Sequence, residues 1–209
     1  MVEYRTADGI ELRGAWCRGN GATALVYFHG NAEAAGDNVG FGRELAANGY
    51  DVFLAEYRGY GGLSGEPSEQ GLFLDAEAAL SVVYAAGFPR AHVALVGRSL
   101  GTGIVIEMAQ RGHGSQLVLI SPYTSMVDVA RSIVGPFAFL VADKFDSLAK
   151  IRDIRVPITV IHGTRDAVVP FELGKRLAQA AGAELVKQEG FGHNDLVDLP
   201  ELIDRALRY

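Results

Sequence analysis

The sequence predicts an α/β chain in which a mainly parallel sheet of eight strands carries helices on both faces. Short apolar runs alternate with stretches whose apolar residues recur at helical spacing, the rhythm of repeated strand–helix–strand units. Several of the runs, such as Ala24-Leu25-Val26-Tyr27-Phe28 and Gln116-Leu117-Val118-Leu119-Ile120, are apolar at nearly every position. Strands buried on both faces read that way, whereas half-wet strands alternate. A length of 209 residues with no internal repeat and no linker-like segment fits a single domain, 1–209, with a sizeable core.

The elements follow in chain order. Val2 to Thr6 and Ile10 to Trp16 alternate apolar and polar around Ala7-Asp8-Gly9, which predicts an antiparallel hairpin with one wet face. Ala24–Phe28 is a buried strand ending at His29-Gly30-Asn31-Ala32, and a helix follows from about Asn38 to Asn48. Asp51 to Ala55 is the next strand, and it leads into a glycine-rich loop from Tyr57 to Gly65. Between Ser68 and Gly87, Leu72, Ala76, Ala79, Leu80 and Val83 recur at helical spacing. The strand His92 to Val96, a turn and a helix come next, then the strand Gln116–Ile120. After a longer interval come a strand from Ile158 to Ile161, a helix from Pro170 to Ala181, a strand from Glu184 to Lys187 and a last helix from Leu196 to Arg208.

Composition excludes several classes of partner. The net charge is −6 and no Lys/Arg cluster stands out, so no nucleic-acid partner is expected. Cys17 is the only cysteine and no Cys/His spacing resembles a zinc site, which predicts a reducing, cytoplasmic location and no metal. The first residues lack a signal-peptide pattern, and Val2 excludes N-myristoylation. The longest apolar run, Ile133 to Ala142, contains Gly135 and Pro136 and falls well short of the ~20 residues that span a bilayer, so no membrane-spanning segment is expected.

The chemistry concentrates at Gly97-Arg98-Ser99-Leu100-Gly101, between a strand and a helix. A serine at the tip of a sharp strand-to-helix turn sits in a strained backbone, and side chains two residues to either side would collide, hence the two glycines. A serine hydroxyl is a poor nucleophile near neutral pH and needs a base, itself fixed by a third group. Of the histidines, His29, His92 and His162 border strands and His113 lies between two glycines. His193, in Gly190-Phe191-Gly192-His193-Asn194-Asp195, alone lies in a late loop between the last strand and the last helix. Asp166 follows a buried strand and precedes a helix, which suits an orienting acid. The earlier candidate segment, Ser121 to Ser125, offers no carboxylate before Asp128. Plainer readings stand beside these: Asp166 as a helix cap, His193 as a solvated loop residue, and His29 as a structural brace. The oxyanion donors are expected to be the N–H of Leu100, at the start of a helix, and that of Asn31, with Ala32 as a one-residue alternative.

Together these motifs resemble the α/β-hydrolases of the serine-hydrolase type. The chain is similar to the small α/β-hydrolase domain-containing proteins grouped with serine aminopeptidase-like hydrolases. The resemblance rests on Tyr27 to Ala32, Glu56 to Gly61, Gly97 to Gly101, Ser121-Pro122-Tyr123, His162 to Asp166 and Gly192 to Asp195. It implies the α/β-hydrolase fold and the chain order nucleophile, acid, histidine, met here by Ser99, Asp166 and His193. The expected partner is a small-molecule or acyl ester substrate, and the chemistry needs no metal or organic cofactor. Many such enzymes carry a large cap before the seventh strand. Here that interval, Met126 to Val156, is short, which predicts a minimal cap.

Ile133 to Val141 within it reads as an apolar wall for an acyl chain, as a patch for a membrane or a second copy of the chain, or as a helix packed on the core. Arg58, Arg98 and Arg165 read either as an attraction for an anionic substrate or as partners of Glu56, Asp128 or other structural carboxylates. The expected activity is carboxylic ester hydrolysis through an acyl-enzyme. A thioesterase or peptidase would use the same residues, and a non-catalytic binding protein on the same fold is the reading from another class.

Overall fold

A computed structural model describes residues 1–135, 138, 141–196 and 199–208, with the side chains of residues 133 and 134 outside the description. Among the described residues eight strands form one sheet: β1 (Val2–Arg5), β2 (Glu11–Cys17), β3 (Ala24–Phe28), β4 (Asp51–Ala55), β5 (Val93–Arg98), β6 (Gln116–Ile120), β7 (Ile158–Gly163) and β8 (Glu184–Gln188). Their spatial order is β1-β2-β4-β3-β5-β6-β7-β8. β1 and β2 pair antiparallel, as do β2 and β4, and the pairs from β4 to β8 are parallel.

The side-chain period of two divides the apolar runs between two cores. In β3, Val26 and Phe28 face a layer completed by Leu72, Phe73 and Leu80 of α2 (Glu69–Ala85) and Ile104 and Val105 of α3 (Leu100–Gln110). Leu25 and Tyr27 face the opposite layer, with Phe41 and Leu45 of α1 (Val39–Ala47) and Ile203 and Ala206 of the last helix, Pro200–Leu207. Both faces are therefore dry, and this is why β3, β4, β5 and β7 are buried along their whole length. Each Leu, Val or Phe so buried contributes roughly 1.5–3 kcal/mol. The hairpin β1–β2 has one wet face, as its alternation predicts.

The helices start and stop where local chemistry tells them to. The Ser68 hydroxyl accepts from Gly71 N at the start of α2, and Ser125 accepts from Asp128 N at the start of α4 (Met126–Val134). Gly182, with φ +62°, ends α6 (Phe171–Ala181) in a left-handed cap. The final helix, α7, begins at Pro200 rather than near Leu196, because proline suits the first helical position. Asn194–Leu196 forms a separate 3-10 turn, and residues 197 and 198 lie outside the described residues.

Three strands run further than their apolar runs suggest. β5 continues through Gly97 and Arg98, which stay paired with Leu119 and Ile120. β7 and β8 likewise extend to Gly163 and Gln188, which face each other in register. Backbone pairing thus persists where the side chains have already turned polar, and those residues lie at the carboxyl ends of the strands. The direction of chain progress also reverses at β3, whose neighbours are β4 and β5. Such a switch point opens a crevice between the loops that leave the two strands.

The interval Met126 to Val156 holds α4 and a short helix, α5 (Ser147–Ile151). Its second half is fastened down. Asp143 Oδ1 accepts from Glu69 N at 2.8 Å, while Glu69 Oε2 accepts from Lys144 N and Phe145 N at 2.9 and 3.1 Å. Phe145 is buried edge-on to Phe73. Of the apolar run 133–142, Ala138 is buried and Val141 is half-buried; residues 136, 137, 139 and 140 lie outside the described residues. Among the described residues, no helix is long and apolar enough to cross a membrane, and no cluster of three or more His, Cys, Asp or Glu could hold a metal ion.

Candidate active site

Ser99 joins the last residue of β5 to the first of α3 with φ +49° and ψ −115°. A non-glycine residue at positive φ costs about 1–3 kcal/mol and needs its surroundings to hold it. Ser99 N donates to Ile120 O at 2.9 Å, and Ser99 O accepts from both Thr102 N and the Thr102 hydroxyl. The flanking glycines follow from contact. A Cβ on Gly97 would stand 2.6 Å from Gly101 O, and one on Gly101 would stand 2.0 Å from Phe28 O. The turn is thus pressed directly onto the end of β3.

His193 comes to this serine from the loop after β8, with Nε2 3.1 Å from Ser99 Oγ. Its Nδ1 lies 2.7 Å from Asp166 Oδ2. A carboxylate accepts only, so Nδ1 carries the hydrogen, and Nε2 offers its lone pair to the Ser99 hydroxyl. Asp166 is buried, and its second oxygen accepts from Val168 N and Val169 N at 2.9 and 2.8 Å. Burial acts to raise its pKa, but hydrogen bonds from the His162 and His193 rings and from Val169 N outweigh it and hold the carboxyl well below its usual range. Asp166 therefore stays an anion beneath His193.

His162 is a contributor that the sequence reading leaves as the end of a strand. It is fully buried, its Nε2 lies 3.0 Å from Val169 O and 3.4 Å from Asp166 Oδ2. A Cβ on Gly174 would stand 2.0 Å from its Nδ1, so glycine in α6 makes room for the ring. Nothing in the local pattern signals this, because a histidine closing an apolar strand has the same sequence context whether it braces an acid or only packs.

On the other side of Ser99 lies the loop after β3. A Cβ on Gly30 would stand 3.3 Å from Ser99 Cβ, so this loop passes close to the nucleophile's carbon. Gly30 N donates to Glu33 Oε1 at 2.6 Å, leaving the following amides, of Asn31 and Ala32, as the donors nearest in sequence that this bond does not occupy. Both residues are exposed, Ala32 is held at φ +60°, and Asn31 Oδ1 accepts from the Tyr60 hydroxyl at 2.7 Å. Leu100 N opens α3, where the first amides have no intrahelical acceptor. His29 is a brace: buried, with Nδ1 2.8 Å from Gly30 O and Nε2 2.7 Å from Glu56 Oε1, while Glu56 Oε2 accepts from Ala35 N.

The three arginines separate. Arg58 forms ion pairs with Asp8 and Asp75, and Arg98 pairs with Glu33. Arg165 is exposed. Neither Glu56 nor Asp128 serves Arg58 or Arg98, because Glu56 is engaged by His29 and Asp128 by Arg131 and Thr124.

The chain is similar to known proteins along most of its length. The family model for serine aminopeptidase, S33, matches residues 20–150, and that for TAP-like protein matches residues 142–205. An uncharacterized protein of Mycobacterium tuberculosis is 35% identical over 97% of this chain and 74% of its own length. Alpha/beta hydrolase domain-containing protein 17B of Homo sapiens is 32% identical over 92% of this chain and 68% of its own length. Among solved structures, an esterase of Pyrococcus furiosus superposes with a TM-score of 0.81 at 18% identity, covering 99% of this chain and 89% of that one.

Proposed function

The chain belongs to the α/β-hydrolase superfamily, in the family that the serine aminopeptidase model describes, and on that premise we propose that it is a serine hydrolase that cleaves carboxylic esters through an acyl-enzyme. The observation that carries this reading is the unbroken hydrogen-bond path from Ser99 Oγ through His193 to a buried, anionic Asp166.

In this mechanism Ser99 Oγ attacks the ester carbonyl as its proton passes to His193 Nε2. Asp166 holds the ring in the required tautomer and stabilises the imidazolium. The carbonyl oxygen becomes an oxyanion facing the N–H groups of Leu100 and Asn31, and removal of one such donor typically costs about 10²- to 10³-fold. Collapse breaks the bond to the alcohol, which leaves with the proton from His193 and deposits the acyl group on Ser99. Water then gives a proton to His193 and attacks the acyl carbon, and a second collapse returns Ser99 and releases the carboxylic acid. No step calls for a metal or an organic cofactor.

Labelling with a fluorophosphonate probe, followed by hydrolysis of p-nitrophenyl esters of increasing acyl length, tests this directly. The expected result is covalent modification of Ser99 and saturable turnover. Folded protein that takes no label at Ser99 would overturn the proposal.

A further inference from the structure

Arg98, the residue before Ser99, points its buried guanidinium away from solvent and into contact with two loops that are distant in sequence. One nitrogen, Nη1, pairs with the carboxylate of Glu33 in the loop after β3. The other, Nη2, donates to Asn194 Oδ1 at 3.0 Å and to His193 O at 3.3 Å in the loop after β8. Glu33 extends the connection, because Oε1 also accepts from Gly30 N at 2.6 Å and Oε2 accepts from Asn38 Nδ2 at 3.2 Å. A Cβ on Gly30 would stand 3.1 Å from Arg98 Nη1, so glycine there admits the guanidinium.

From this arrangement we infer that Arg98 is a positioning residue, with Glu33 as its counterion, that clamps the Gly30–Ala32 loop and the His193 loop to each other across Ser99. The role rests on the function proposed above. The side chain is 6% exposed and its charge is met by Glu33, so it is not a free cation awaiting an anionic substrate. The guanidinium fork serves two loops from two nitrogens of one rigid plane; a lysine ammonium keeps the charge but presents a single nitrogen. Holding base and oxyanion donors in one frame is where such a clamp acts on rate. A misplacement of about 1 Å by a residue outside the chemistry costs on the order of 10²-fold.

Arg98→Lys and Glu33→Gln, alone and together, test the clamp. For neutral p-nitrophenyl esters we expect Arg98→Lys to lower kcat about 10- to 100-fold with KM within about twofold. The double variant should be no worse than the poorer single one, since the two residues act as a unit. Hydrogen exchange should quicken together in the segments 28–38 and 189–196. Should Arg98→Lys not fold, Glu33→Gln carries the same kinetic and exchange test.

Unchanged kcat, faster exchange in only one of the two segments, or a rise in KM confined to anionic esters would each overturn the inference. Exchange is read without turnover. A wild type that takes no fluorophosphonate while both segments loosen in Arg98→Lys therefore sinks the ester-hydrolase reading and leaves the clamp standing.

Discussion

Two buried arginines, each near the carboxyl end of a parallel strand, use the same chemistry to different ends. Arg58 follows β4 and reaches Asp75 of α2 and Asp8 of the β1–β2 turn, with nitrogen–oxygen distances of 2.7 and 2.8 Å. Its partners belong to a hairpin and a helix, so the cluster fastens the antiparallel edge of the sheet to the helix beside it. Arg98 ends β5, and its partners belong to the two loops that flank Ser99. Burial and pairing alone thus do not distinguish a residue that holds the fold from one that holds a site. What distinguishes them is which elements the partners come from, and whether those elements carry reacting groups.

The contrast has meaning only if Ser99 is the nucleophile, and Ser99→Ala probes that premise with the largest effect. Ester turnover should fall by at least about 10⁴-fold while the protein stays folded, because loss of the nucleophile removes the covalent route entirely. Retained turnover in a steady-state assay would place the chemistry elsewhere and dissolve the distinction between the arginines. Next in size is Arg58→Met. Removing one partner leaves buried Asp75 uncompensated, which costs about 3–5 kcal/mol, or roughly 6–20 °C of melting temperature for a chain of this size. The kcat of the fraction that stays folded should remain within twofold. A tenfold loss of kcat with no loss of thermal stability would mean that Arg58, too, positions the site.

Much of the fold was legible because burial on both faces writes a continuous apolar run. The segments Ala24–Phe28, Asp51–Ala55 and Gln116–Ile120, apolar at all or all but their first position, coincide with β3, β4 and β6. The ends of β5 and β7 were not, since Gly97, Arg98, His162 and Gly163 stay in the ladder after the apolar pattern stops. Ser99, Asp166 and His193 could be picked out individually, each from its local setting at a strand end, and the structure brings the three within hydrogen-bonding reach. Their supports could not. His162 beneath Asp166, and Glu33 and Asn194 around Arg98, are joined across the chain by folding, and nothing periodic or local marks such partners. Of the carboxylates expected to pair with the arginines, Glu56 and Asp128 do not serve Arg58 or Arg98, and other structural carboxylates, Asp8, Asp75 and Glu33, do. Charge complementarity names a class of partner, and only topology chooses the member.

The smallest effect lies at the exposed end of the Arg58 cluster, and its pH dependence shows which way the cluster works. Hydrogen bonds from Arg58, and then from Thr6, lower the Asp8 pKa from 3.8 to about 2. A carboxyl whose pKa is depressed on folding stabilises the fold above its unfolded value, and the contribution fades as pH falls through the folded value. The melting temperature of the wild type should therefore exceed that of Asp8→Asn by a small, constant margin above the ordinary value of 3.8, and the margin should close as pH falls toward about 2. Asp166 is also depressed, but it is present in both proteins and cancels in the difference. Near neutral pH the substitution should cost little, because Asp8 sits at the surface and Arg58 keeps Asp75. Thermal melts of the two proteins across this range decide the matter. A margin that persists unchanged to pH 2 would mean that Asp8 contributes by shape rather than charge, and the cluster's hold on the hairpin would then rest on Asp75 alone.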